Sequence, residues 1–209
     1  MSNLKEDFSP KERVYLAFYN SKKQRMYFNE IREKANMSIS SLQNAISKLE
    51  KTGEMEKSKE KSNTFYTLKN EEMIGLNFAR FDIHKLNNLN VNVKMPLKEF
   101  LEQVQGVAFI ILFGSSSIGA EKKGSDIDML VVLYNFGNEK LNGMYQKEAK
   151  DKIGQIKKKV DSKSLYPLSL VFIDEQEFKT RRDYLLDEAK KTGFCIYNQQ
   201  YYYRENLSV

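Results

Sequence analysis

With 209 residues the chain has room for one large domain or two small ones, and its 41% hydrophobic and 30% charged content is that of an ordinary soluble protein. No apolar run approaches the ~20 residues that span a bilayer, and Met1-Ser2-Asn3-Leu4-Lys5-Glu6-Asp7 lacks the apolar core of a signal peptide, so no membrane partner is expected and cytoplasmic residence is. A net charge of +6 is compatible with nucleic-acid binding without demanding it, because both signs are mixed along most of the chain.

The first helix is predicted from Ser9-Pro10, a serine cap followed by proline at the first helical position, and carries Val14, Leu16, Ala17 and Phe18. Phe28 and Ile31 lead into a short second helix ending near Ala35-Asn36. Ser38 caps a third, about Ile39 to Lys51, whose Ile39, Leu42, Ile46 and Leu49 recur three or four apart on one face, with Ala45 at its border. Gly53 is its stop signal. Two short strands are then expected around Ser62-Asn63, from Glu54 to Lys61 and from Thr64 to Leu68.

Three helices and a hairpin, with Ser41-Leu42, Ile46, Leu49-Glu50-Lys51 and Gly53 in that pattern, resemble a winged helix-turn-helix over about residues 8–70. The resemblance implies an N-terminal DNA-binding domain, residues 1–70, with the third helix as its recognition helix. The solvent face of that helix presents Ser40, Ser41, Gln43, Asn44, Ser47, Lys48 and Lys51. Gln and Asn suit adenine edges, and Ser and Lys suit phosphates. Lys57, Lys59 and Lys61 would sit on the wing, diluted by Glu54, Glu56 and Glu60. Winged helices also serve as protein-contact modules, and a homodimer is expected only because such proteins often read paired half-sites.

Residues 71–95 read as a linker helix, Glu71 to Leu89, with apolar Ile74, Phe78, Phe81 and Leu89. Either packing within the chain or a dimer contact would explain the two phenylalanines. The asparagine-rich stretch Asn87 to Asn92 marks a boundary, and Pro96 restarts the chain ahead of a helix from Leu97 to Val104.

The apolar run Val107 to Phe113 ends at Gly114-Ser115-Ser116-Ser117-Ile118-Gly119, and Gly124-Ser125-Asp126-Ile127-Asp128 opens a second apolar run, Met129 to Leu133. Alternation along a strand points Asp126 and Asp128 one way and Ile127 the other. Two such carboxylates repel unless a cation lies between them, and hard oxygen ligands suit Mg²⁺ shared with substrate phosphates. The Gly-Ser turn offers backbone N–H groups and a hydroxyl, which suit phosphate.

This motif resembles the nucleotidyltransferase superfamily that includes DNA polymerase β, and most of all its minimal prokaryotic members, over about Pro96 to Tyr203. The resemblance implies an α+β protein whose C-terminal domain, residues 96–209, holds a mixed sheet flanked by helices. Gly114, Ser115 and Ser125 would bind the nucleoside triphosphate, and Asp126 and Asp128 would be the catalytic pair that holds one or two Mg²⁺ ions. Lys122 and Lys123 read as ordinary loop charges near that site. Active members usually carry a third carboxylate on a neighbouring strand. On the candidate strand, Leu168 to Asp174, that position falls on Ser169, while Asp174 lies at the far end and Asp161 before the strand. Serine is no base without help.

A helix from Glu175 to Lys190 and an extended stretch from Thr192 to Tyr197 should follow, with the aromatic tail Tyr201-Tyr202-Tyr203 packing onto the domain or a partner subunit. Cys195, the single cysteine, reads as buried core, and the lone His84 as no metal ligand. Two functions compete. One is a Mg²⁺-dependent enzyme moving a nucleoside monophosphate to a protein, RNA or small molecule, in some relatives beside a helical partner protein in toxin–antitoxin pairs. The other is a transcriptional regulator or antitoxin-like DNA-binding protein whose second domain binds nucleotide without chemistry.

Overall fold

The computed structural model describes residues 8–207. By contact the chain divides between Phe81 and Asp82 into two compact units, and the first unit takes up the chain again from Tyr203.

In the first unit, helix α1 (Pro10–Ser21) begins with a reciprocal cap: the Ser9 hydroxyl accepts from the Glu12 N–H and the Glu12 carboxylate from the Ser9 N–H. Strand β1 (Arg25–Tyr27), helix α2 (Phe28–Ala35), helix α3 (Ile39–Lys51), strand β2 (Met55–Glu60) and strand β3 (Asn63–Leu68) follow. The sheet is antiparallel throughout, in the order β1-β3-β2. The three helices and the hairpin fall where periodicity puts them, whereas β1 is new. Ser38 caps α3 as expected by accepting from the Ser41 N–H, and Leu42, Ala45, Ile46 and Leu49 are buried. Ile39 is not part of that face; as the first helical residue it stays half exposed.

Glu54, just ahead of β2, is almost fully buried and accepts from Lys11 Nζ at 2.7 Å, Tyr15 Oη at 2.6 Å and Thr52 Oγ1 at 2.7 Å. Burial alone would raise its carboxyl, but these three donors hold it below its ordinary range, while the buried Tyr15 hydroxyl is pushed up. The glutamate is therefore structural and is not one of the solvent charges of the hairpin.

Helix α4 (Glu71–Asn87) brings Phe78 and Phe81 into the first unit. Phe81 packs edge-on to Phe8 at 5.0 Å, and Phe78 meets Tyr19 at 5.3 Å and Tyr203 at 5.6 Å. Both rings are thus used inside the chain. Gly75 on the same helix leaves room for Tyr203, whose Cβ would lie 3.4 Å from a Cβ at that position. The helix expected from Glu71 to Leu89 is α4, and the last five residues of the 71–95 stretch open a separate helix.

That separate helix, α5 (Val91–Leu101), runs straight through Pro96. Proline costs a helix interior about 3 kcal/mol, so sequence rules restart the chain there. Here Asn90 caps the helix by accepting from the Asn92 N–H, and Val93, Leu97 and Phe100 are fully buried along one face. Burying three large side chains at roughly 1.5–3 kcal/mol each outweighs the proline.

The second unit is built on strands β4 (Phe109–Leu112), β5 (Ile127–Leu133), β6 (Leu168–Asp174) and β7 (Phe194–Tyr197), in the order β6-β5-β4-β7. β5 and β6 are parallel and the other pairs antiparallel, which makes the sheet mixed, as expected. The parallel pair needs a long crossover, supplied by α7 (Glu139–Asp161). One face of the sheet packs on Val93, Leu97, Phe100, Ala149 and Ile153 of α5 and α7. The other packs on Phe178 of α8 (Glu175–Thr180), Leu186 and Ala189 of α9 (Tyr184–Thr192) and Tyr202 of α10 (Gln199–Asn206). Burial on both faces explains why β4 and β5 read as unbroken apolar runs.

The single helix expected over Glu175 to Lys190 is two. Asp183 caps α9 by accepting from the Leu186 N–H at 2.9 Å and pairs with Arg181, so the chain turns at Arg181-Arg182 instead of continuing. Cys195 is fully buried. The aromatic tail packs into the protein, with Tyr202 against Phe109 at 5.0 Å. His84 shares hydrogen bonds with Asn88. No helix among the described residues is long and apolar enough to cross a membrane.

Candidate active site

Four strand ends share one edge of the second sheet: the end of β4 and the starts of β5, β6 and β7. Residues from this edge build the site. β4 ends at Leu112, Phe113 donates its N–H to the Asp128 carbonyl at 3.0 Å, and the chain then turns at Gly114 with φ +68°. A methyl group at Gly114 would fall 2.6 Å from Asp128 Oδ2, so the carboxylate rests directly on the glycine backbone. After the glycine comes the one-turn helix α6 (Gly114–Ser117), whose N-cap residue, Phe113, supplies no side-chain acceptor for the opening N–H groups.

The expected alternation holds. Ile127 is fully buried, Asp128 is half-buried and Asp126 is exposed. Burial raises the Asp128 carboxyl above the usual carboxylate range, and the charges of Asp126 and Glu188 add to the rise; a hydrogen bond from the Ser169 hydroxyl opposes it. Asp128 lies opposite Ser169 in the β5–β6 register. The position opposite Asp128 on β6 therefore carries a hydroxyl, as counted from the sequence. Asp174 instead caps α8 at the far end of β6, accepting from the Glu177 N–H at 2.8 Å. Asp161 is engaged with the Leu168 N–H at 2.8 Å and with Lys157.

The serines divide by role. Ser116 is buried and donates to the Asp126 carbonyl at 3.2 Å; Ser117 donates to the Gly114 carbonyl at 2.7 Å. Ser125 accepts from the Lys122 N–H at 2.9 Å and so closes the loop ahead of Asp126. Among the described residues the Ser115 hydroxyl has no protein partner, which leaves it free for a ligand. Asp126 and Asp128 could hold a hard cation together with ligand oxygens, but no group of three or more His, Cys, Asp or Glu side chains among the described residues is arranged to hold a metal by itself.

Residues 94–192 match the family model of the nucleotidyltransferase domain. The match runs from α5 to the end of α9 and takes in Gly114, Ser115, Asp126, Asp128 and the β6 register partner Ser169. It supports nucleotidyl transfer as the general chemistry of this domain. No curated protein and no solved structure matches the chain. A groove of about 270 Å³ on the second unit, lined by Met95, Pro96, Glu99, Val160 and Lys163, includes none of the site residues.

Glu188 is the residue that sequence reading missed. It carries no motif, and only the placement of α9 brings its charge to Asp128.

In the first unit, Ser40, Gln43, Asn44, Ser47, Lys48 and Lys51 are all exposed on α3, with Ser40 Oγ 3.3 Å from Ser38 Oγ. On β2, Lys57 pairs across the ladder with Tyr66 and Lys59 with Thr64, on the face that carries Met55 and Leu68. Glu56 and Glu60 alternate to the opposite face, where Lys69 and Arg25 neutralise them.

Proposed function

We propose that the second unit is a Mg²⁺-dependent nucleotidyltransferase that moves a nucleoside monophosphate from a nucleoside triphosphate to a protein, RNA or small-molecule acceptor. The observation that carries the reading is the Asp128 carboxylate set on Gly114, in a span that matches the nucleotidyltransferase model. Gly114 lets the backbone approach the phosphates closely, and the Ser115 hydroxyl adds a donor. Asp126 and Asp128 fit Mg²⁺, which commonly takes one or two carboxylates and completes its shell with water and substrate phosphate oxygens. When bound, the ion neutralises phosphate charge. The protein's own part is to orient the triphosphate for in-line attack by the acceptor, with pyrophosphate leaving.

Incubation with each α-labelled triphosphate and MgCl₂ should transfer label to total cellular RNA or protein, and Asp126→Ala should reduce transfer by about 100-fold or more. An unchanged rate in Asp126→Ala would place the site elsewhere. Saturating nucleotide should also stabilise the wild type, by about 2.7 kcal/mol at a hundred times Kd, and not the Asp126→Asn/Asp128→Asn chain.

A second reading, a DNA-binding regulator or antitoxin-like protein with nucleotide as signal, is favoured by the hairpin. Lys57 and Lys59 stand on the face of β2 opposite the neutralised glutamates and make no ion pair among the described residues. Unpaired lysines of this kind suit phosphates, and the exposed Gln43 and Asn44 suit base edges, as in a winged helix. Binding to a duplex from its own promoter should weaken steeply as salt rises, and Lys57→Ala/Lys59→Ala should lower the log–log salt slope by about two. A flat salt response would exclude this role.

A further inference from the structure

The two outer strands of the second sheet, β7 and β6, are finished differently. Phe194, Cys195 and Ile196 of β7 are buried, and the Cys195 N–H donates to the buried Asp82 carboxylate at 3.3 Å, so that edge is covered. The edge at β6 is open. Its inner bonds are fixed by Ile127, whose N–H donates to the Pro167 carbonyl at 2.8 Å. Alternation then turns the odd-numbered residues of β6 toward β5, and the N–H and C=O groups of Leu168, Leu170, Phe172 and Asp174 away from it. Both ends of this outer row are held: the Leu168 N–H donates to Asp161 Oδ1 at 2.8 Å and the Asp174 N–H to Glu177 Oε2 at 3.1 Å. Between them, the N–H and C=O groups of Leu170 and Phe172 have no hydrogen-bond partner among the described residues. Edge strands are usually guarded by charge or proline. β2, an edge of the first sheet, is charged at four of its six positions, whereas β6 has neither charge nor proline from Leu168 to Ile173. The Lys150 ammonium stands over the Phe172 ring at 5.9 Å, on a face of the sheet and not along its edge. An apolar edge with unpaired backbone groups is a template for another strand.

We infer that a second copy of this chain pairs with β6 along this edge, antiparallel, about a two-fold axis at Val171. The inference goes beyond the transferase reading and does not depend on it. The free groups select both the occupant and the register. Antiparallel strands exchange N–H···O=C bonds between residues that both face the seam. With the axis at Val171, Leu170 meets Phe172 of the second copy and Phe172 meets Leu170 of the second copy. Both free N–H groups and both free C=O groups of each strand are then used. An axis at Leu170 would set Phe172 against Leu168, whose N–H is already held by Asp161, and an axis at Phe172 would set Leu170 against Asp174, whose N–H is held by Glu177. The side chains agree with the first register. Val171 meets itself in a closely set pair, Leu170 meets a phenyl ring, and no like charges stand opposite each other. A two-fold interface uses the same patch on both copies, so a strand that complements itself is sufficient. The two sheets become one, and because the paired strands run in opposite directions, the two Gly114–Asp128 sites lie at opposite edges of it.

The test uses the full chain in analytical ultracentrifugation over a wide concentration range, with circular dichroism to check that each variant is folded. The wild-type mass should rise with concentration from 24.5 kDa toward twice that value. Val171→Glu and Val171→Lys each set like charges against each other on the axis, and each should weaken the dimer by at least about tenfold. Mixing the two variants sets opposite charges there and should return association to the wild-type level or better. Hydrogen exchange on the wild type gives a second measurement that needs no substitution: the Leu170 and Phe172 amides should become protected as the dimer forms. A wild type that stays monomeric at every concentration overturns the inference and leaves the edge to an extended segment of another protein. A dimer that is indifferent to both substitutions, variants that do not associate when mixed, or a dimer whose Leu170 and Phe172 amides exchange freely would each overturn it as well, since the contact would then lie elsewhere.

Discussion

A Gly114→Ala chain should fold and lose about 100-fold in nucleotide transfer. The substitution brings two separate penalties. At φ +68° an L-residue meets its own carbonyl, which costs about 1–2 kcal/mol. The new methyl would also sit 2.6 Å from Asp128 Oδ2, well inside van der Waals contact, so the carboxylate must swing away. Displacing a ligand-binding group by about 1 Å typically costs around 100-fold in rate. Gly119→Ala separates the two effects, because Gly119 has φ +69° with nothing within 4 Å of its Cβ position. Both variants should lose similar stability in thermal unfolding, and only Gly114→Ala should lose transfer. Equal activity in the two would mean that the seat of Asp128 does not matter.

Gly193→Ala should be the most destabilising single methyl in the second unit. Its backbone, φ −76° and ψ 169°, is open to any residue, so the argument is one of space alone. The Cβ would stand 2.4 Å from the Ala189 carbonyl, 2.7 Å from Ile111 Cγ2 and 2.8 Å from the Leu112 carbonyl. Two of these are backbone atoms held in a helix and a sheet, and they cannot turn aside as a flexible side chain would. Overpacking usually costs about 1–3 kcal/mol, and contacts this short against backbone belong at or above the top of that range. A melting temperature about 10 °C lower is expected by calorimetry. A change within about 2 °C would show that α9 slides freely past β4 and would loosen the placement of Glu188.

Much of the site was legible because it depends on local spacing. The Gly-Ser turn, the Asp-x-Asp alternation and the fall of Ser169 opposite Asp128 can all be counted along the chain, and the strand register agrees. Glu188 could not be counted. Its place depends on how far α9 rotates over the sheet, and that is set by Asp183 restarting the helix and by the missing side chain at Gly193. Elements failed for similar reasons. β1 has three residues and a single buried one, Met26, so only its pairing with β3 defines it. α5 defied the usual effect of Pro96 because three buried side chains on either side of it outweighed a local penalty. α3 was plain throughout, since its apolar stripe repeats without interruption and both ends carry signals.

The contact of Gly75 with Tyr203 bears on the order of events during synthesis. The first unit holds residues up to Phe81 and then waits for Tyr203 and Leu207, which approach Gly75 within 3.4 and 3.8 Å of its missing Cβ. A ribosome delivers those residues only after the whole sheet of the second unit has emerged. The part of the protein made first is therefore the part completed last, and a nascent chain stalled short of residue 203 would leave one side of Phe78 without its edge-on aromatic neighbour.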